Sequence, residues 1–194
     1  MIKQIISLFI TIVFLSACGG GEVNTPKPPI YPRIYYPKKD YRMIEENAPF
    51  SFKIPQYANL KIDQEVGSEN FWYNIDYAPF DATLHLSYYP VNSAIGLDSL
   101  TEDTRKLAYK HAFKADEITG LELSNAQQKV YGIMYLIDGN TATNLNFYLT
   151  DSAHHFLRGA LYFNQKTKND SIYPVFQFLK QDVEQMIATL KWQN

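Results

Sequence analysis

Cysteine is almost absent from this chain: Cys18 is the only one among 194 residues. One cysteine makes no internal disulfide and no thiolate metal site, so packing must hold the fold even in an oxidising compartment. Excess charge of one sign is missing too, with 18 Lys and Arg against 20 Asp and Glu. That balance argues against nucleic acid as a partner and against a polybasic grip on anionic lipid. Long apolar runs are lacking. The run from Ile5 to Phe14 is about half of the roughly 20 residues a membrane-spanning helix needs. Motifs of catalysis are absent as well: no His-Glu-x-x-His, Gly-x-Ser-x-Gly elbow, phosphate loop, dinucleotide fingerprint or EF-hand loop occurs. A hydrolase triad needs no local motif, so this weakens the case for an enzyme without closing it. No internal repeat is present.

What is present begins at the N-terminus. Lys3, the apolar run to Phe14 and the small residues Ser16 and Ala17 have the layout of a secretory signal. Leu15-Ser16-Ala17-Cys18 resembles the bacterial lipobox, in which the cysteine is diacylated and becomes the first residue of the mature protein. The expectation is therefore a signal peptide over 1–17 and a lipid anchor at Cys18, where two acyl chains give stable membrane attachment. Residues 18–47 read as a tether. Gly19, Gly20 and Gly21 precede prolines at 26, 28, 29, 32 and 37, which favour extended geometry. Tyr31, Tyr35, Tyr36 and Tyr41 are too many aromatics for a solvated linker, and predict an arm lying on its own domain or on a partner.

A single globular domain is expected over 48–194. The 12 Phe, 15 Tyr and 2 Trp suit a β-rich core. Alternating residues predict strands near Phe50–Ile54, Leu60–Ile62, Phe71–Tyr77 and Ala82–Tyr89. In the last, Ala82, Leu84, Leu86 and Tyr88 face one way and Thr83, His85, Ser87 and Tyr89 the other. The period then becomes helical over 98–114, with Asp98 or Ser99 as cap and His111 on the apolar side. A short strand at 118–123 and three more at 129–137, 142–150 and 155–163 form a meander, with a tight turn at Asp138-Gly139-Asn140. A second amphipathic helix runs from a cap at Asp170 or Ser171 to Leu190, with Pro174 in its first turn. Antiparallel strands carrying two helices make an α+β domain.

Two polar sets are candidates for chemistry. Asp151, His155 and Arg158 lie within one nine-residue stretch and have the groups for acid–base work or anion binding. The structural alternative is favoured: Asp151 in a turn, His155 on a core face with Leu157 and Leu161, and Arg158 on the other face paired to an acid. Trp72, Asn74 and Asp76 share a strand face and offer an indole, a carboxamide and a carboxylate for a sugar or peptide. Cross-strand packing of Trp72 with Tyr88 is the favoured alternative. The four histidines do not have metal-site spacing, so neither a metal nor a cofactor is expected.

Several stretches taken together resemble one family. They are Trp72 to Tyr77, Leu84 to Val91, Tyr109 to Asp116, Val130 to Gly132, Gly139 to Ala142, Thr150 to Ser152, His155 to Gly159 and Thr189 to Trp192, together with the lipobox and Pro-Lys-Pro at 26–28. Their order and the chain length are similar to the gliding-motility lipoproteins of the GldD type. The resemblance implies a Bacteroidetes envelope protein needed for gliding and tied to type IX secretion, with no known catalytic residues to carry across. The element order is similar to PsbP and Mog1-like α/β/α sandwiches, a likeness of fold only. The resulting expectation is a non-enzymatic lipoprotein that binds other envelope proteins. A periplasmic ligand-, peptide- or glycan-binding module is the alternative and an envelope hydrolase the third. Gly19 is not the aspartate that retains many lipoproteins in the inner membrane, and no acidic export run follows Cys18. A periplasm-facing position is expected, with the outer membrane ahead of the inner.

Overall fold

Among the described residues, alternation of apolar and polar side chains produces ten strands, and two stretches of helical period produce the helices laid on them. The computed structural model describes residues 34–44, 48–62, 71–91, 96–110, 113–164 and 169–193. Cys18, most of the expected tether and His111 lie outside the described residues. In chain order the elements are β1 Tyr41–Ile44, β2 Phe50–Pro55, β3 Asn59–Ile62, β4 Trp72–Tyr77, β5 Ala82–Pro90, α1 Leu97–Tyr109, β6 Ala115–Asn125, β7 Val130–Gly139, β8 Thr143–Thr150, β9 His155–Phe163, α2 Asn169–Thr189 and β10 Lys191–Trp192. Seven strands form one sheet in the order β3-β4-β5-β9-β8-β7-β6, and β1-β2-β10 form a second, small one. All pairings are antiparallel. The domain is α+β, with two helices packed on antiparallel sheets.

The large sheet is covered on both faces, which explains why every residue of its interior strand β8 is buried. On one face α2 and the small sheet enclose the main core, in which Leu84, Leu86, Leu157 and Leu161 meet Phe52, Leu179, Val183 and Leu190. Fully burying one such side chain contributes about 1.5–3 kcal/mol. On the other face α1 caps a smaller cluster of Ala108, Tyr135, Ile137, Tyr148 and Phe156. Gly159 allows the core to close: a Cβ there would sit on the ring of Phe147, which is fully buried. Gly139 takes φ +115 in the β7–β8 turn, a conformation that suits glycine.

Several boundaries differ from expectation. Strands β1 and β10 are four and two residues long, too short for a period to register. The compact unit containing the domain runs from Tyr35 to Asn194, so the described end of the expected arm supplies β1 and lies on its own domain. Strand β6 is eleven residues long rather than six. Helix α1 starts at Leu97 from an extended Gly96 with no side-chain cap. Asp98 therefore lies in the first turn, where its charge complements the helix dipole. The helix ends at Tyr109 rather than near 114, and Phe113 and Lys114 form a turn into β6. Helix α2 starts at Asn169, before the expected cap, which leaves Pro174 inside the helix rather than in its first turn.

The first described residues are fastened to α2 by one carboxylate. Asp182 is fully buried. It accepts from Lys39 Nζ at 2.7 Å, from the Tyr41 hydroxyl at 2.8 Å and from the Tyr57 hydroxyl. Lys39 also donates to the Phe178 carbonyl at 2.8 Å and lies over the Phe178 ring. Burial, reinforced by hydrogen bonding to Asp182, pushes the Tyr41 and Tyr57 phenols far above their ordinary value. Burial and the nearby Asp182 charge do the same to Tyr77.

Removing one member of this group leaves a buried charge uncompensated. Lys39→Ala and Asp182→Ala are each expected to lower stability by about 3–5 kcal/mol, read as the free energy of urea unfolding. The phenols set the alkaline limit. Because their folded pKa values are raised, the unfolded chain loses these protons first, so their contribution is complete below about pH 10 and declines as pH rises above it. Unfolding free energy measured from pH 8 to 11.5 is expected to fall above pH 10, and less steeply in Tyr57→Phe. Gly159→Ala overpacks the core and is expected to cost about 1–3 kcal/mol by the same assay.

Candidate functional site

The face of the large sheet beneath α1 collects polar side chains, because alternation along β4, β5 and β9 sends their apolar partners to the main core. Register aligns them in rows. One runs Trp72, Ser87, Arg158, Tyr148 and the next Asn74, His85, Ala160, Asn146. Helix α1 touches β8 and β9, and small side chains at Ser87 and Ala160 leave room beside it. The result is a cleft of about 470 Å³ between α1 and the sheet. The sheet contributes His85, Asn146, Arg158 and Tyr162, and α1 contributes Thr104 and Lys110.

Neighbours fix the orientation of these groups. His85 Nδ1 lies 2.6 Å from Asn74 Oδ1, and its ring meets Tyr162 edge-on at 5.4 Å. Arg158 donates to the Tyr89 hydroxyl at 3.1 Å and lies over the Tyr89 ring at 5.6 Å. Asn146 is 7% exposed and accepts from the Thr143 hydroxyl at 3.3 Å. Such a pocket orients a polar molecule through a few convergent donors.

Of the six residues expected to contact a ligand or partner, Arg158 is the one that lines this cleft. Trp72, Asn74 and Asp76 share the same sheet face but are engaged elsewhere. Asp76 is paired with Lys61 at 2.9 Å and Asn74 with His85. Trp72 stands across from Ser87, so it meets Tyr89 edge-on at 5.9 Å and not Tyr88, which points to the main core. Its indole Nε1 is buried without an acceptor among the described residues.

The trio of Asp151, His155 and Arg158 is divided by the sheet. One Asp151 oxygen accepts from the backbone N–H groups of Ala153, His154 and His155 at 2.8–2.9 Å. Partial burial disfavours its charge, but these donors outweigh that and hold the carboxyl below its usual range. His155 lies on the Leu157 face at the rim of the main core. Its Nδ1 is 2.8 Å from the Tyr88 hydroxyl, and its ring stacks on Trp192 with centroids 5.0 Å apart. Burial lowers the His155 pKa against the opposing pull of Asp151, so the imidazole is neutral at pH 7. Arg158 is on the opposite face, and its partner is Tyr89 rather than an acid. Packing against an aromatic phenol supports a guanidinium without a carboxylate.

His85 and Lys110 were not singled out as site residues from the sequence. The alternation in β5 did put His85 on the less apolar face. Nothing in the sequence pointed Lys110 at β9, because that depends on how α1 crosses the sheet.

Comparison with known proteins bears on the whole chain rather than on the cleft. No curated protein shows significant similarity to it. Among solved structures, the solution structure of cyanobacterial PsbP from Synechocystis sp. PCC 6803 matches with a TM-score of 0.43 and 11% identity, covering 86% of this chain and 97% of that one. The family described as gliding motility lipoprotein GldD matches residues 21–192. With a match over most of its length, the chain belongs to the gliding motility lipoprotein GldD family.

Proposed function

We propose that this gliding-motility lipoprotein is a non-enzymatic docking component, anchored through Cys18 and facing the periplasm. It binds other envelope proteins and thereby supports assembly or stability of the gliding and type IX secretion machinery. The observation that carries this reading is the division of Asp151, His155 and Arg158 between the two sheet faces, with Asp151 and His155 bound into the fold itself. Residues so engaged support the domain's shape more than they support a reaction.

Exposed apolar side chains favour docking. Leu107 and Tyr109 on α1 and Phe113 in the following turn are 44%, 45% and 79% exposed. They interrupt a surface otherwise laced with ion pairs such as Arg105–Glu102 at 2.8 Å. Large aromatic side chains left in water are the usual anchors of protein interfaces. The glycan or peptide reading through Trp72, Asn74 and Asp76 has less support, since Asp76 and Asn74 already have partners.

Affinity purification of the intact lipoprotein from mildly solubilised membranes, followed by mass spectrometry, tests the proposal. Stoichiometric motility or secretion components are expected, weakened by Phe113→Glu and lost or weakened by Cys18→Ala, which should also release the protein from the membrane fraction. Recovery of the protein alone, even after cross-linking in cells, would overturn the docking role.

A further inference from the structure

The cleft beneath α1 has cations on two of its walls and no carboxylate among its described lining residues. Elsewhere in the domain Lys39, Lys61, Arg105 and Lys180 each have an acidic partner within 3 Å. Arg158 is half-buried and has one described hydrogen bond, to a neutral phenol, which leaves most of its five N–H donors open. A guanidinium withdrawn from water without a counter-charge is unfavourable, and a bound oxyanion removes that cost through a bidentate contact. Lys110 approaches the same space from α1. In the Arg158 row Ser87 offers a hydroxyl to the same space.

Size narrows the class of ligand. A volume of about 470 Å³ falls in the usual range for small-molecule sites, roughly 300–1,000 Å³. An inorganic ion would leave most of it unfilled. Among the other lining residues His85, Asn146, Thr104 and Tyr162 offer polar or aromatic contacts and Leu107 and Ala160 apolar ones, a mixture that suits the hydroxyls and C–H faces of a sugar-sized body.

We propose that this cleft binds a small organic oxyanion of the size of an acidic sugar, its carboxylate or phosphate held between Arg158 and Lys110. His85 and Asn146 orient the rest of the molecule. The site adds to the docking role and does not rest on it, so partner capture and ligand binding are separable.

Isothermal titration of the full-length chain in neutral detergent micelles tests this, with glucuronate, glucose 6-phosphate, glucose and inorganic phosphate as probes at low ionic strength. Glucuronate or glucose 6-phosphate is expected to bind, and which of them does so distinguishes a carboxylate from a phosphate ligand. Arg158→Gln is expected to weaken that binding by at least about tenfold, as loss of a charge-assisted contact implies. Lys110→Gln, at an exposed position, is expected to weaken it severalfold with thermal unfolding unchanged. The proposal is overturned if neither acid binds, if glucose binds equally well, or if both substitutions leave affinity intact. Inorganic phosphate binding as tightly as the sugar phosphate would also overturn it, by showing an adventitious ion only.

Discussion

Asp182 is the constraint on which the arrangement of the domain depends. A carboxylate with no exposure persists only where donors replace the water it has lost, and here three donors come from parts of the chain about 125–143 residues away in sequence. Lys39 and Tyr41 bring in the first described residues, and Tyr57 brings in the turn between β2 and β3. The small sheet is thereby held over the large one. Thr189 extends the same logic along α2, its hydroxyl accepting from the Lys53 backbone N–H at 3.1 Å. Without any disulfide, these polar connections give a defined position to an aromatic layer that apolar packing alone would leave free to slide.

The two faces of the large sheet have been put to different uses. Toward α2 the side chains interlock, with Phe50 meeting Phe52, Tyr73 and Tyr88. Toward α1 the packing is local, and polar rows continue outward from it. Small side chains at Ser87 and Ala160 beside α1 leave a cleft there. The stability of the fold and the opportunity to bind are therefore on opposite sides of one sheet, so a residue's side is a better guide to its role than its chemical type. His155 and Arg158, three positions apart, illustrate this: the first is wedged between Tyr88 and Trp192, the second stands at the cleft.

Much of the fold was legible in the sequence because alternation and helical period are local signals. The β5 pattern and the β6–β9 meander emerge as alternation implies, and both helices lie where the period changes. What was hidden required distance. Strands β1 and β10 are too short to show a period, and they exist because β2 offers them an edge. Pairing Trp72 with Tyr88 failed for a related reason, since a single strand shows which residues share a face but not which face of its neighbour they join. Arg158 met a phenol because Tyr89 stands two residues along from Ser87, the residue directly across. The tyrosines of the arm signalled that it lies on a surface, but not that Lys39, Tyr41 and the distant Tyr57 converge on Asp182, because that depends on where α2 packs.

The route by which the chain enters the domain has a mechanical consequence. Any pull transmitted through the preceding residues would be felt at Tyr36, whose ring packs on Phe178 and Phe80, and then at Lys39, Tyr41 and the β1–β2 ladder. Behind that ring contact stands an ion pair sheltered from solvent, backed by a cation over the Phe178 ring. The edge strand β1 would come away before any strand of the seven-stranded sheet was loaded. In a motility apparatus, where envelope parts move against one another, such an attachment would give way in stages, and its first stage could reseal.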